Sequence, residues 1–455
     1  MRFGIFYEHQ LPRPWEPGAE ARLVAEALEQ CELADRLGFG YVWEVEHHFL
    51  EEYSHSSAPE VFLAAVAART QRIRIGHGIV LTAPQYNHPF RTAERIAMLD
   101  LVSQGRVEFG SGESGSEAEL GGFGLPVEEK RAAWLEGLEL SLRAMTETPF
   151  TGAEGRYVTM PTRNVVPKPV QQPHPPLWVA CSRRDTILLA AEKGIGALTF
   201  AFIDPEEARQ WVGDYERALA ERCVPVGHAV NAQVACVTPM MCDRDEGRAL
   251  AMGLEGGNFF GYSLGHYYVF GEHRPARTDV WQESTERRQE HGYDPAVALA
   301  VEQERLGAKI AAGDHTGLRG AIGTPDQLRE YLRRYEEAGV DQVIFVLQAG
   351  KNRHEDVMSS LELFGTEVLP EFEARHEAAA RAKAERMAPA VDAALARRAE
   401  EVPPPPPEAE GYTITALPKQ LATLAEVPVT EEQLERFATA RALGDRDTAA
   451  GILGG

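Results

Sequence analysis

Short apolar runs alternate with amphipathic helical patterns through the first 370 residues of the chain. The apolar runs predict eight strands, at residues 2–7, 41–45, 73–81, 106–110, 177–181, 197–201, 229–238 and 342–347. The helical patterns between them lie at residues 21–37, 59–70, 89–103, 128–146, 185–193, 205–222 and 326–338. Such alternation requires a parallel sheet with crossover helices, and eight repeats close a (β/α)8 TIM barrel, an α/β fold. An open doubly wound sheet is the alternative.

Two segments interrupt this alternation, and a third follows it. Residues 150–161 predict a hairpin, whereas residues 253–320 are rich in Gly and aromatic residues and long enough to form a lid over a barrel mouth. Beyond residue 370 come a helix rich in Ala, Arg and Glu and then a polyproline stretch at 403–407. We therefore predict three parts: a barrel domain at 1–370 with 253–320 as its inserted lid region, a helical extension at 371–400, and a Pro-rich linker and tail at 401–455.

The composition is that of an ordinary globular protein, with 44% hydrophobic and 25% charged residues in a chain of 455. The apolar runs are too short to span a membrane, and the first residues do not have the pattern of a secretory signal, so we expect a cytoplasmic location. A net charge of −23 disfavours nucleic acid and anionic membranes as partners. The five cysteines are scattered without a C-x-x-C pair and predict buried, reduced thiols.

Three glycines follow the predicted fourth strand in the stretch "RVEFGSGESGSE". Gly110, Gly112 and Gly115 spell G-x-G-x-x-G, the pattern of a dinucleotide-binding turn. That turn belongs to the first strand of its sheet and opens a helix at once, whereas here the next helical pattern starts only near residue 128. A glycine turn at the end of a barrel strand instead lets backbone N–H groups approach an anion such as phosphate. A tight turn without a ligand is the structural alternative.

The stretch "WEVEHHF" places two histidines at the end of the predicted second strand. Because barrel active sites lie at the carboxyl ends of the strands, His47 and His48 are candidates for acid/base catalysis. Side chains of adjacent residues point to opposite faces of a strand, and no further His or Asp pattern completes a ligand set, so we predict no metal site. A purely structural histidine pair is the alternative.

Other polar residues also follow predicted strands. They are Glu8, His9, His77, Ser182 and Gln348. Each is weak by itself, but their common placement is that of a barrel enzyme, whose site is assembled from several strands.

The pattern as a whole resembles the bacterial luciferase-like, flavin-dependent monooxygenase family. The matching stretches cover residues 1–370 in family order and are "GFGYVWEVEHHF", "APEVFLAAVAARTQRIRIG", "NHPFRTAERIAMLDLVSQGRVEFGSGESG", "PPLWVACS" and "GTPDQLREYLRRYEEAGVDQVIFVLQAG". The resemblance implies a TIM barrel, usually a homodimer, that binds reduced FMN delivered by a separate flavin reductase. It also implies reaction of that FMN with O2, through a flavin hydroperoxide, to oxygenate a small organic substrate.

The resemblance also implies roles for particular residues. His47 corresponds to a histidine beside the flavin that acts as acid/base or stabilises an intermediate, and Ser182 to a position contacting the FMN phosphate, with Arg183 adjacent. His77 and Gly78 correspond to backbone that supports the flavin ring, often through an unusual cis peptide.

The glycine turn departs from the family at two positions. The luciferase catalytic subunit has a cysteine and an arginine where this chain has Gly112 and Glu113. An acidic side chain repels a phosphate, so either Glu113 turns away, or Arg183 and Arg184 supply the positive charge, or the ligand sits differently. The turn gives the cofactor-binding candidates Gly110, Gly112, Glu113 and Ser114.

Two other functions use the same barrel. One is a deazaflavin-dependent oxidoreductase that transfers hydride; the doubled histidine and the lack of a basic cluster for a polyglutamate tail disfavour it. The other is a non-catalytic flavin-binding protein, which His47 and the open glycine turn disfavour. The substrate is left open by the sequence.

Overall fold

A closed ring of eight parallel strands forms the centre of the protein in the computed structural model, which describes residues 1–200, 203–291, 320–401 and 430–442. The strands are β1 Arg2–Tyr7, β2 Tyr41–Glu44, β3 Arg74–His77, β4 Val80–Leu81, β5 Val107–Gly112, β6 Ala153–Glu154, β7 Thr159–Met160, β8 Leu177–Cys181, β9 Gly196–Thr199, β10 Val234–Cys242, β11 Ala321–Gly323 and β12 Gln342–Val346. The ring runs β1-β2-β3-β5-β8-β9-β10-β12 and returns to β1. The predicted TIM barrel is therefore confirmed, and the open sheet is wrong.

The ring strands alternate with helices, and a separate helix, α13 Glu431–Ala442, lies in the second compact unit of the chain. The others are α1 Ala19–Leu37, α2 Pro59–Arg69, α3 Pro89–Val102, α4 Glu117–Gly122, α5 Lys130–Thr146, α6 Arg184–Glu192, α7 Pro205–Arg222, α8 Glu246–Gly265, α9 Val280–His291, α10 Pro325–Glu337, α11 His354–Glu367 and α12 Leu369–Glu401. A 3-10 turn spans Val127–Glu129, and a π-helical stretch spans His266–Phe270. No described helix combines the length and the apolar character needed to cross a membrane.

Alternate residues of each strand face the barrel interior and the helices, which produces two apolar cores. The interior core includes Phe6, Trp43, Trp178, Leu198 and Ile344. The outer core lies between strands and helices and includes Ile5, Val42, Ile75, Val107 and Val179. Because both faces of the strands are buried in this way, the carboxyl mouth is the place where polar side chains such as Glu8 and His47 can meet.

The third barrel strand is broken between β3 and β4, and the neighbouring β5 accommodates the break with glycines. A Cβ atom on Gly110 would lie 1.9 Å from the carbonyl oxygen of His77. A Cβ on Gly112 would lie 2.3 Å from Cδ1 of Ile79. The first glycine of the G-x-G-x-x-G pattern is thus required by strand packing, whereas a Cβ at the second would meet only the end of a flexible side chain.

The two insertions differ in structure. Strands β6 and β7 pair antiparallel, as the predicted hairpin requires. The predicted lid region begins inside α8 and continues through the π-helical stretch and α9, so its described part is largely helical rather than an open loop. Residues 292–319 of that region lie outside the described residues.

The helical extension packs directly on the barrel. Phe372 of α12 is buried, Lys383 Nζ donates to Asp341 at 2.6 Å, and Arg397 Nε donates to the carbonyl oxygen of Cys223 at 2.8 Å. Residues 1–405 form one compact unit and 406–455 a second. Of the second unit only residues 430–442 are described, with α13 as their helix, so the predicted proline linker lies outside the described residues. All five cysteines are buried and free.

Candidate active site

The imidazole of His47 lies between two carboxylates at the barrel mouth. Its Nδ1 atom is 2.9 Å from Oε1 of Glu119, and its Nε2 atom is 3.5 Å from Oε2 of Glu8. Glu8 follows β1, His47 follows β2, and Glu119 lies on α4 after β5, so three strands contribute. The backbone N–H of His47 donates to the carbonyl oxygen of Ser56 at 2.7 Å, which fixes the loop. The structure therefore joins two of the residues that the sequence placed after strands, Glu8 and His47.

The three ionisable groups shift one another's pKa values. Burial alone would lower the pKa of His47, but the charges of Glu119 and Glu8 raise it to about 9. Burial raises the pKa of Glu8 to about 7, against the opposing effects of the His47 charge and a hydrogen bond from the Tyr53 hydroxyl. Burial also acts to raise the pKa of Glu119, but the His47 charge and hydrogen bond outweigh it and hold that pKa below its usual range. Near neutral pH the site thus contains an imidazolium, a carboxylate and a second carboxyl group close to its own pKa.

Glu119 was not predicted as a site residue. Its Oε1 atom also accepts a hydrogen bond from the backbone N–H of His48 at 2.9 Å, and its Oε2 atom accepts one from the Ser114 hydroxyl at 2.7 Å. Ser114 has a left-handed backbone, with φ of 58°, which turns the chain sharply after β5. The sequence did contain a weak sign of α4, since Ser116 and Glu119 have the S-x-x-E spacing of a helix start. The six-residue helix is too short for a periodic pattern.

His48 points away from His47, as expected for neighbouring residues in an extended segment. Its Nε2 atom lies 3.2 Å from Oε1 of Glu46, and its ring packs edge-on against Phe123 at 4.9 Å. Glu46 in turn accepts hydrogen bonds from Asn87 Nδ2 at 2.9 Å and from the Leu81 backbone N–H at 2.7 Å. The two imidazole rings therefore have different carboxylate partners, although the backbone of His48 shares Glu119 with the ring of His47. Among the described residues no group of three or more His, Cys, Asp or Glu side chains is arranged to hold a metal ion.

The carboxylate of Glu113 is paired with an arginine. Nη2 and Nε of Arg131, on α5, lie 3.1 and 3.4 Å from its two oxygens. Of the two arginines after β8, Arg184 pairs with Asp214 on α7, with its Nε 2.7 Å from Oδ2, and Arg183 has its Nε 3.2 Å from Oδ1 of Asp185. Ser182 lies between the end of β8 and the start of α6. The negative charge of Glu113, which departs from the family pattern, is thus neutralised by Arg131 of α5.

The side chain of His77 does not reach the barrel mouth. Its charged neighbours are Glu60 of α2 and Arg95 of α3, and burial lowers its pKa to about 4. Gly78, by contrast, faces the interior, where a Cβ would lie 3.1 Å from Phe6. Every cis peptide bond within the described residues precedes a proline, so the bond between His77 and Gly78 is trans, and the expected cis peptide is not found. Only the backbone of His77 remains as a candidate for ligand contact.

Two further residues that follow strands serve the framework. The side-chain amide of Gln348 exchanges hydrogen bonds with the backbone of Gln10, whose own side chain donates to Ser263 of α8 at 3.0 Å. His9 lies with its Nε2 3.0 Å from Oε1 of Glu44. These contacts fix the loops after β1 and β12 rather than extend the cluster around His47.

A covering segment, residues 266–281, closes over the cluster. The Tyr268 hydroxyl lies 3.4 Å from Nδ1 of His47. Glu52, which follows the "EHHF" stretch, accepts hydrogen bonds from the backbone N–H groups of Val280 at 2.6 Å and Trp281 at 3.1 Å. Its neighbour Glu51 has Oε1 3.1 Å from Nε2 of His273. The loop that carries His47 therefore also holds the segment above it.

A TIM barrel with an acid/base cluster at its carboxyl mouth has the architecture of a barrel enzyme. The family model described as luciferase-like monooxygenase matches residues 1–342. The chain belongs to the luciferase-like monooxygenase family.

Individual relatives include both oxygenases and a reductase. The chain is 25% identical to the oxygenase component of flavin-dependent trigonelline monooxygenase from Acinetobacter baylyi, over 82% of this chain and 96% of that protein. It is 26% identical to 5,10-methylenetetrahydromethanopterin reductase from Methanopyrus kandleri, over 75% and 93%. The crystal structure of monooxygenase RslO1 from Streptomyces bottropensis matches with a TM-score of 0.60 and 26% identity, over 82% of this chain and 100% of that one.

Two uncharacterised proteins of Sinorhizobium fredii, y4wF and y4vJ, are 34% and 31% identical over 43% and 41% of this chain. These matches span about half the length of those two relatives, 54% and 52%.

Proposed function

We propose that this protein is the oxygenase component of a two-component monooxygenase. It takes reduced FMN from a separate flavin reductase and uses it with O2 to oxygenate a small organic substrate. The observation that carries the proposal is the position of His47 between Glu8 and Glu119 at the mouth of a luciferase-like barrel. The oxygenase relatives support the reaction class.

The residues at the mouth fit a flavin mononucleotide. Oε2 of Glu8 is buried and accepts no hydrogen bond from the described residues, so a ligand N–H or O–H would complete it. The backbone of His77 and Gly78 would support the ring, since Gly78 exposes backbone towards the interior. Ser182 and Arg183, at the start of α6, would hold the phosphate.

Reduced FMN, when bound, supplies the electrons that activate O2 for insertion of one oxygen atom. His47 holds a proton up to a pH of about 9 and keeps it beside the reacting centre. Glu8, with a pKa of about 7, exchanges protons near neutral pH, and Glu119 orients the imidazole through Nδ1. Tyr268 covers the cluster and excludes water, which limits unproductive loss of activated oxygen.

The proposal includes a homodimer in the cytoplasm. Val61 on α2 is 68% exposed, and Met98 and Leu101 on α3 are 52% and 42% exposed. Exposed apolar side chains on two neighbouring helices support a subunit interface on this side of the barrel. Because reduced FMN would pass from a separate reductase to this protein by diffusion, both proteins must share a compartment.

A second candidate is hydride transfer with a deazaflavin cofactor, which the reductase relative from Methanopyrus kandleri favours. The same His47 cluster would then move a proton to or from a substrate oxygen. A purely flavin-binding role is disfavoured, because a scaffold has no need for three coupled ionisable groups in its mouth.

Anaerobic titration with reduced FMN and with reduced deazaflavin separates these candidates. We expect tight binding of FMN, followed after an oxygen pulse by oxidation of the bound flavin with a time course that changes in His47→Ala. His55→Ala is the matched control, because His55 pairs with Glu20 outside the cluster. Binding of the deazaflavin alone would overturn the monooxygenase proposal.

A further inference from the structure

A second, buried pair of a histidine and a glutamate accompanies the cluster around His47. Nε2 of His9 lies 3.0 Å from Oε1 of Glu44, and the two side chains are 3% and 1% exposed. His9 directly follows Glu8, and Glu44 is the last residue of β2, just before the loop that carries His47. The two strands that bring Glu8 and His47 to the mouth therefore also bring the two members of this pair together.

The His9 side chain lies on the helix side of the strands, in the outer core. Its ring stacks on Tyr7 at 5.5 Å and packs edge-on against Phe62 of α2 at 4.8 Å. The backbone of His9 is left-handed, with φ of 53°. A residue other than glycine is strained in this conformation and keeps it only where surrounding contacts impose it. The buried contact with Glu44 is one of those contacts, and it fixes the turn that directly follows Glu8.

Ser56 connects the pair to the backbone of His47. The Ser56 hydroxyl contacts Oε1 of Glu44 and the carbonyl oxygen of Val45. The carbonyl oxygen of Ser56 accepts a hydrogen bond from the N–H of His47 at 2.7 Å. Glu44 thus contacts His9 on one side and, through Ser56, the loop of His47 on the other.

The loop after β2 is also tied to the turn after β1. The Ser54 hydroxyl donates to the carbonyl oxygen of Glu8 at 2.8 Å, and the N–H of His55 donates to the carbonyl oxygen of His9 at 3.2 Å. Oε2 of Glu8 and Nε2 of His47 are 3.5 Å apart, so a small separation of the two loops takes them out of contact.

We propose that His9 and Glu44 are positioning residues, which hold the loop after β1 against the loop after β2 so that Glu8 stays beside His47. The pair acts from the helix side of the strands, and its members are not part of the cluster itself. Its role in turnover rests on the proposed function, whereas the position of Glu8 is a property of the free protein.

Ionisable groups on several elements face the imidazole of His47. They are Glu8, Glu46, Tyr53, Glu119 and Tyr268. The charges of Glu119 and Glu8 raise the pKa of His47 to about 9. Because the pair holds the turn that follows Glu8, loss of the pair should remove part of this effect and lower the pKa of His47.

An NMR titration of the His47 ring in the free protein tests the proposal without any flavin. We expect Glu44→Ala and His9→Asn to lower the pKa of His47 from about 9 by about one pH unit. Asn tolerates the left-handed backbone of position 9, so the second variant removes the imidazole without a new backbone conflict. Ser56→Ala, which removes one link and leaves the pair, should give a smaller fall and keeps the test open if Glu44→Ala does not fold.

Glu44→Gln separates position from charge. Its side-chain oxygen can still accept hydrogen bonds from Ser56 and His9, so the loops should stay in place and the pKa of His47 should stay near the wild-type value. An equal fall in Glu44→Ala and Glu44→Gln would overturn the proposal, since the two variants share only the loss of the Glu44 charge.

His174→Asn is the matched control. His174 is also a buried histidine, with Nδ1 2.8 Å from the carbonyl oxygen of Pro175 and Nε2 accepting from the N–H of His228, but it precedes β8 at the amino end of the barrel. This variant should lose stability and leave the His47 titration unchanged. A fall in the pKa of His47 in this control would show that general loosening of the barrel accounts for the effect.

The flavin assay keeps the two proposals distinguishable. With reduced FMN and an oxygen pulse, the pH dependence of flavin oxidation in Glu44→Ala and His9→Asn should shift by the same amount as the pKa of His47. If the wild type oxidises bound flavin but these variants keep the wild-type pKa of His47, the positioning role alone is wrong. If the wild type does not bind reduced FMN, the proposed function fails, and the titration of the free protein still decides the role of the pair.

Discussion

The Nδ1 atom of His47 lies 2.9 Å from Oε1 of Glu119, although 72 residues separate them in the chain. This contact decides which nitrogen of the imidazole is available to a ligand. With Nδ1 directed at Glu119, Nε2 faces Glu8 and the mouth. Glu119 therefore controls both the orientation and the charge of the histidine that we place beside the flavin.

Glu119→Gln should lower the pKa of His47 from about 9 by at least one unit. The substitution removes the largest favourable charge acting on the imidazolium and keeps a side chain that accepts a hydrogen bond. An NMR pH titration of the His47 ring measures the shift. Glu117→Gln, an exposed position on the same helix, is the control and should leave the titration unchanged. An unaltered His47 pKa in Glu119→Gln would contradict the assigned coupling.

Glu8 should make the stability of the fold depend on pH around neutrality. Its pKa is about 7 in the folded protein, against 4.5 ordinarily, so between these values the folded state holds a proton that the unfolded state has released. The stabilisation linked to this proton is complete below pH 4.5 and is lost as the pH rises through 7. In Glu8→Gln the side chain does not titrate, so the free energy of unfolding should not show this loss.

Urea unfolding of the wild type and Glu8→Gln at pH 5 and pH 8 measures the effect. From pH 5 to pH 8, the free energy of unfolding of Glu8→Gln, taken relative to that of the wild type, should rise by on the order of 2 kcal/mol. Glu16→Gln, at an exposed position, should follow the wild type. A pH-independent difference would show that Glu8 is already ionised at pH 5.

The sequence predicted the barrel and the position of His47 for a physical reason. Strand periodicity and order determine which residues reach the carboxyl mouth, and both can be read locally. The partners of His47 could not be read in this way. Glu119 lies on a six-residue helix, and Tyr268 lies 221 residues away in the chain, so neither contact leaves a periodic pattern. The same holds for the pairing of Glu113 with Arg131, which depends on how α5 packs beside the turn.

Glu52→Ala should loosen the covering segment. The Glu52 side chain is fully buried and accepts hydrogen bonds from the backbone N–H groups of Arg13, Val280 and Trp281. Its removal leaves these donors without their acceptor, for an expected loss of about 2 to 4 kcal/mol. Hydrogen exchange at the amides of Val280 and Trp281 should accelerate, whereas Glu286→Ala, an exposed position on α9, should leave it unchanged. Unchanged protection in Glu52→Ala would mean that the segment is held by its other contacts.

Gly110→Ala should destabilise the barrel severely, whereas Gly121→Ala should not. A Cβ at position 110 would lie 1.9 Å from the carbonyl oxygen of His77, which is backbone of the neighbouring strand and has no flexible end to move aside. We expect a loss of about 3 kcal/mol or more. A Cβ at position 121, within α4, meets nothing within 4 Å, so the higher helix propensity of Ala should give a change between zero and a gain of about 1 kcal/mol.

Urea unfolding followed by far-UV circular dichroism compares the two alanine variants in one assay. Both positions lie within or just after the stretch that resembles a dinucleotide fingerprint. The difference in the free energy of unfolding between the two variants therefore isolates the reason for glycine at position 110. If Gly110→Ala is as stable as the wild type but loses flavin affinity, Gly110 is kept for the ligand and not for the packing of β3 against β5. If it is destabilised as expected, the break in the third barrel strand is a sufficient reason for the first glycine of the pattern.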